Sequence, residues 1–288
     1  MTDPGWPRIA SFRTAAAFRR HLEASAIELP FDETLAPGGA SPLTRSLEAD
    51  GLRAGNRLCV LPMEGWDCTA DGAPSELTLR RWRHFGRSGA KLVWGGEAAA
   101  VRHDGRANPH QLLAEERHES AIARLREALV AEHVSRFGRD AGDDLVVGLQ
   151  LTHSGRWCRP NAWDRPEPLV AWNHPLLDRR FPAGVRVLTD DELDRLADDF
   201  VRSARVAART GFQFVDVKHC HGYLGHELLS ARTREGKYGG GLENRTRLLR
   251  RVVAGIRAEA PGLRVGVRLS VLDTVPYRRD ESGRGVPE

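Results

Sequence analysis

Between positions 218 and 223 the chain reads Lys218-His219-Cys220-His221-Gly222-Tyr223, directly after the apolar run Phe214-Val215-Asp216-Val217. A lysine and a histidine three residues apart can converge as donors on one oxygen, and a tyrosine two residues further on can supply a proton. That set suits a reaction in which a carbonyl is polarised, a neighbouring carbon receives hydride and the adjacent carbon is protonated. Metal binding by His219, His221 and His226, with Cys220 as fourth ligand, is a competing use. No second cluster completes a ligand shell, so no metal is expected. A third use is structural, with the imidazoles satisfied by backbone carbonyls.

The elements that must position this cluster show a regular alternation. Short apolar runs occur at Leu58-Cys59-Val60-Leu61, Lys91-Leu92-Val93-Trp94, Leu145-Val146-Val147-Gly148-Leu149, Phe214 to Val217 and Val265-Gly266-Val267-Arg268-Leu269. Runs of this kind suit parallel strands buried on both faces. Helical periodicity lies between them. It covers Glu76 to Arg87 (Leu77, Trp82 and Phe85 inward), Pro109 to Phe137, the stretch after the capping box Thr189-Asp190-Asp191-Glu192 as far as Gly211, and Glu243 to Ala260. The fold class is therefore α/β. No G-x-G-x-x-G follows the first strand, which argues against a dinucleotide-binding sheet. Polar residues instead follow every run: Glu64, Trp66 and Asp67; Gly95 to Glu97; Gln150, His153 and Arg156; Lys218 to Tyr223; Arg268 and Ser270. Chemistry at the carboxyl end of each strand is the habit of a (β/α)8 TIM barrel. Only five strands are legible where a barrel has eight, so the expectation is a barrel truncated after about five strands. Residues 1–55 read as an N-terminal arm and 56–288 as the barrel, with a polar end from Gly283 lacking any closing strand.

The segments His221-Gly222-Tyr223-Leu224, Glu227-Leu228-Leu229-Ser230 and Tyr238-Gly239-Gly240-Gly241-Leu242-Glu243-Asn244-Arg245 resemble the old yellow enzyme family of FMN-dependent oxidoreductases. Asn56-Arg57 with Pro62-Met63, Gln150 to Arg156, and Val267 to Ser270 agree with the same family in consistent order, over about residues 43 to 275. The resemblance implies FMN across a barrel mouth, with NADH or NADPH as reductant and an activated alkene as acceptor. It implies that Pro62 and Met63 line the flavin, that Ala98 sits near it, that Gln150 bonds its pyrimidine ring, and that Arg268 stabilises charge developing on that ring. By the same resemblance Lys218 and His221 anchor the substrate carbonyl and Tyr223 donates the proton, with Trp66 and His219 as substrate contacts.

Three departures from the family pattern stand out. The anchoring pair there is His-x-x-His or His-x-x-Asn, whereas here lysine takes the first place, which favours a more acidic or carboxylate substrate. Glu64 stands where relatives carry Thr or Cys near the flavin. No segment matches the last strands that hold the FMN phosphate, so weak FMN binding is expected of this chain alone. A flavin-dependent amine or ether dehydrogenase of the same fold, and a non-catalytic truncated barrel, are the alternatives.

Composition narrows the partners. Of 43 basic residues only Lys91, Lys218 and Lys237 are lysines, and the arginines are interspersed among 39 acidic residues, which argues against nucleic acid. No apolar run approaches the ~20 residues of a membrane span, and residues 1–6 lack a signal-peptide pattern. Four cysteines without C-x-x-C spacing give no support for an iron–sulfur cluster or a disulfide framework. A cytoplasmic enzyme acting on a small molecule is expected, with a homo-oligomer as an open option.

Overall fold

Alternating apolar runs and capped helices fold as the periodicity requires. The computed structural model describes residues 7–49 and 51–287, and the chain divides into two compact units, Met1–Arg45 and Ser46–Glu288. In the first, helix α1 (Ala15–Ala24) is capped by the Thr14 hydroxyl, and Phe12 and Phe31 pack on Phe18. The second begins with an antiparallel hairpin, β1 (Leu47–Ala49) and β2 (Leu52–Ala54).

The main sheet of the second unit is built from β3 (Cys59–Val60), β4 (Leu92–Val93), β5 (Ala98–Ala100), β6 (Val146–Thr152), β9 (Phe214–His219) and β10 (Arg264–Leu269). A short parallel pair, β7 (Leu169–Val170) and β8 (Arg186–Val187), lies in the long connection before β9. The sheet order is β10-β9-β6-β4-β3, every pairing parallel, with β5 continuing beside β6 after the Gly95-Gly96 break. Strands adjacent in space follow one another in sequence, as in a barrel wall, with no reversal of order. Among the described residues the sheet is open, with β3 and β10 as edges, and no closed barrel is found. Both central strands are buried throughout, while β10 is exposed at Arg264 and Leu269 and half-buried between.

Helices α2 (Glu76–Arg87), α3 (Glu119–Phe137), α4 (Asp190–Arg209), α5 (Leu224–Ser230), α6 (Leu242–Arg245) and α7 (Arg247–Glu259) connect the strands. The Thr189–Glu192 capping box starts α4, and Gly211, with φ of 84°, follows its end. Val93, Val147, Leu149, Val215 and Val217 face the helices and join Trp82, Leu125, Leu129, Leu193 and Val252 in one core. The intervening residues Leu92, Val146 and Phe214 face the other way and pack with Ala54 and Trp94.

Three details differ from the sequence reading. Leu77 is exposed, because α2 buries Thr78, Trp82 and Gly86, and a Cβ on Gly86 would stand 2.3 Å from the Leu129 carbonyl oxygen. The helix read from Pro109 starts only at Glu119: Leu113 forms a bridge with Ala100 and belongs to the sheet side of the structure. The polar end is not without structure, since β11 (Tyr277–Arg279) pairs antiparallel with β12 (Gly285–Pro287) across an Asp280-centred turn.

Candidate functional site at the strand carboxyl ends

The face of the sheet turned away from the helices is layered along the strands. At the amino ends lies an apolar floor, where Leu92, Trp94, Val146 and Phe214 meet the β1–β2 hairpin around a cavity of about 240 Å³. One layer up, Gln150 and Asp216 stand opposite in register, and Gln150 Nε2 donates to Asp216 Oδ2 at 2.5 Å. Burial pushes the Asp216 carboxyl above its ordinary range, and its Oδ1 has no hydrogen-bond partner among the described residues. The next layer holds Lys218 and Arg268, also paired in register on β9 and β10. Alternation of period two thus places Asp216, Lys218, Gln150 and Arg268 on one face.

At the end of β9 the chain must turn sharply into α5. His221 and Gly222 take left-handed φ values of 62° and 69°, and the His221 main-chain N–H donates to Ser270 Oγ. Gly155 approaches so closely that a Cβ would lie 2.8 Å from the Leu224 nitrogen, which fixes glycine there. This turn leaves His221 exposed and brings Tyr223 back over the strand. Lys218 Nζ lies 3.6 Å from the centre of the Tyr223 ring and donates to Glu64 Oε1 at 3.0 Å. Burial, and the Glu64 carboxylate beside it, push the Tyr223 phenol far above its ordinary value. His221 is shifted downward by partial burial and by the charges of Lys218 and Arg268.

Glu64 reaches this cluster from the loop after β3, and that loop is clamped. Gly65 N–H donates to Glu97 Oε1 at 3.0 Å, and the Arg81 guanidinium on α2 joins Glu97 to Asp67. Glu97 is fully buried, which raises its carboxyl to about 7 against the pull of Arg81. In the same loop Pro62 is buried while Met63 and Trp66 are largely exposed, and the Met63 carbonyl accepts from Ala98 N–H. Trp66 packs edge-on against Trp163 from the connection after β6.

The structure therefore brings together Glu64, Lys218, Tyr223, His221, Gln150 and Arg268 at one end of one face, with Met63, Ala98 and Trp66 on the adjoining β3 loop and β5. His219 does not join them. It lies on the helix side of β9, buried against Gly225 of α5, with Nδ1 3.3 Å from the Val217 carbonyl oxygen and its pKa lowered by burial to about 4. His226 is engaged by main-chain groups at both ring nitrogens, and among the described residues no three His, Cys, Asp or Glu side chains are gathered as a metal site requires. Sequence reasoning did not single out Asp216 or Trp163 as functional, and named Glu97 only as a polar residue after the second run. An aspartate inside the apolar run Phe214 to Val217 was the one available signal, since a charged residue in a buried strand needs a partner.

A flavin presents a flat apolar body and a pyrimidine edge of alternating acceptors and an N–H donor. This face offers a Gln150 amide whose nitrogen is held by Asp216, an Asp216 oxygen without a partner among the described residues and the Arg268 guanidinium, next to the buried Ala98 of β5. That donor set fits such an edge.

A parallel α/β sheet with ionisable side chains gathered at the strand carboxyl ends is the arrangement of a barrel wall. Residues 55–284 match the model of the NADH:flavin oxidoreductase / NADH oxidase family, and the chain belongs to that family. An NADH:flavin oxidoreductase of Gibberella zeae is 29% identical over 257 residues, covering 83% of this chain and 59% of the relative. An NADPH dehydrogenase of Geobacillus thermodenitrificans is 28% identical over 256 residues, covering 82% and 68%. The solved old yellow enzyme homologue from Zymomonas mobilis superposes with a TM-score of 0.61 at 25% identity, over 78% of this chain and 62% of that one. The chain spans about three fifths of the first relative's length. No helix among the described residues is long and apolar enough to cross a membrane.

Proposed function

We propose that the chain forms the catalytic wall of an FMN-dependent NAD(P)H oxidoreductase of the old yellow enzyme type, acting on an alkene conjugated to a carbonyl. In this reading the six strands of the main sheet are part of a (β/α)8 barrel wall. The observation that carries it is the convergence of Gln150 and Arg268 with Lys218, His221 and Tyr223 on one face of the sheet. Gln150, Arg268 and the Pro62–Met63 and Ala98 segments would hold FMN. The chemistry expected of bound FMN is hydride exchange, from the nicotinamide and then to the β-carbon of the alkene.

The remaining work falls to side chains. Lys218 and His221 donate to the carbonyl oxygen, where negative charge develops as the β-carbon is reduced. With its pKa lowered, His221 is a neutral imidazole near pH 7 and donates as a hydrogen-bond donor, not as a cation. Tyr223 stays protonated across the physiological range and gives its proton to the α-carbon. The ammonium of Lys218, lying against the ring, partly offsets the burial and the Glu64 charge that disfavour the phenolate left behind. Trp66 supplies an apolar surface at the rim.

FMN titrated into the purified chain should lose fluorescence on binding. The bound flavin band near ~450 nm should bleach on adding NADH or NADPH under nitrogen. A folded chain that takes up no FMN at millimolar flavin overturns the reading.

A further inference from the structure

Lysine at the first anchor position invites an anionic substrate, but the structure gives that lysine a buried counter-charge. Lys218 and Glu64, 154 residues apart in sequence, form an ion pair with side-chain exposures of 5% and 12%. A second side of the ammonium is committed to the Tyr223 ring. Glu64 cannot easily swing away, because the next residue is tied to Glu97 and the loop is pinned through Asp67 to Arg81. Arg268, the other cation on this face, has the buried Asp216 carboxylate next to it. The anchoring cluster is therefore close to neutral. A carboxylate entering it would place a second anion beside Glu64, where burial weakens screening, whereas a neutral carbonyl needs only the hydrogen bond Lys218 has left.

We propose that Glu64 is a positioning and specificity-determining residue that holds Lys218 and offsets its charge, so that the subsite accepts a neutral carbonyl group and rejects a carboxylate. The proposal rests on the carbonyl-anchoring role given to Lys218 above.

The test compares two probes of one shape, benzamide and benzoate, binding to the full chain in the presence of FMN, by calorimetry. The chain as it stands should bind benzamide at least as tightly as benzoate. Glu64→Gln should shift the ratio of dissociation constants toward benzoate by about tenfold or more, and Glu64→Asp should restore most of the original ratio. Lys218→Met should move the ratio the other way, which keeps the test decisive if Glu64→Gln folds poorly. A ratio unchanged in folded Glu64→Gln, or unmoved by Lys218→Met, overturns the proposal. If neither probe binds, the carbonyl subsite itself fails, while FMN uptake, read separately by absorbance, reports on the flavoprotein reading.

Discussion

Lys218 and His219 are neighbours on one strand, and both are buried, yet they do opposite kinds of work. Lys218 points to the open face, pairs with Glu64 and lies over Tyr223; His219 points to the helix face, packs on Gly225 and reaches only its own strand's carbonyl. A similar contrast separates two polar clusters. Fully buried Arg156 is closed into a finished set with Glu227 and Asp178. On the open face Asp216 keeps an oxygen without a partner among the described residues, beside the Gln150 amide and the Arg268 guanidinium. A polar group satisfied from within stabilises the fold; one left waiting is where a ligand finds its partners.

Disturbing a closed set should cost stability and nothing specific. Arg156 donates to Glu227 at 2.5 Å and to the Trp172 carbonyl at 3.1 Å, and Glu227 also accepts from Ala171 N–H. Arg156→Ala would leave the Glu227 carboxyl buried without its cation, a loss of about 3–5 kcal/mol readable by urea unfolding. Unfolding midpoints equal to those of the unaltered chain would break the contrast. The open face should respond in the other way. Tyr223→Phe is expected to lower alkene reduction by roughly 10²–10⁴-fold while leaving nicotinamide-driven flavin bleaching and the unfolding midpoint nearly unchanged. Turnover that survives intact would remove the proton-donor role. Arg268→Gln, on the half-buried edge strand, should weaken FMN binding by about tenfold to a hundredfold, the worth of a charge-assisted hydrogen bond. Fluorescence titration with FMN checks it.

The elements of this molecule were legible because their signals are local. Apolar runs marked five of the six strands of the main sheet, and the Thr189 box and Gly211 bracketed α4 almost to the residue. What stayed hidden depended on partners far along the chain. Ala98–Ala100 carries no β-branched residue and follows two glycines, so it reads as a loop; it becomes a strand because β6 offers Gln150 to Thr152 in register. On α2, Trp82 and Phe85 turn inward as the periodicity requires, but Leu77 does not, because the α3 backbone selects Gly86 for contact. Among the site residues, Lys218, His221 and Tyr223 announce themselves by adjacency. Their coupling to Glu64 cannot be read from spacing, and it reverses the inference drawn from lysine alone, that an anion is the natural guest.

The last test returns to His219 and separates the two faces by pH. Buried with only a backbone carbonyl near it, the imidazole ionises in the folded chain only at about 4, and in the unfolded chain at about 6.5. Between those values the unfolded state binds a proton that the folded state refuses. Its contribution to stability is therefore complete above pH 6.5 and is lost as pH falls toward 4, by up to about 1.4 kcal/mol per pH unit. His219→Asn keeps a donor for the Val217 carbonyl but cannot titrate. The stability difference between the two proteins should be constant above neutrality and shrink steadily below pH 6.5. His153, also fully buried and lowered to about 4, is present in both and cancels from the difference. Benzamide binding should not change, because His219 lies behind the strand from the anchor. A difference that is flat with pH, accompanied by altered probe binding, would place His219 on the working face and erase the distinction between it and Lys218.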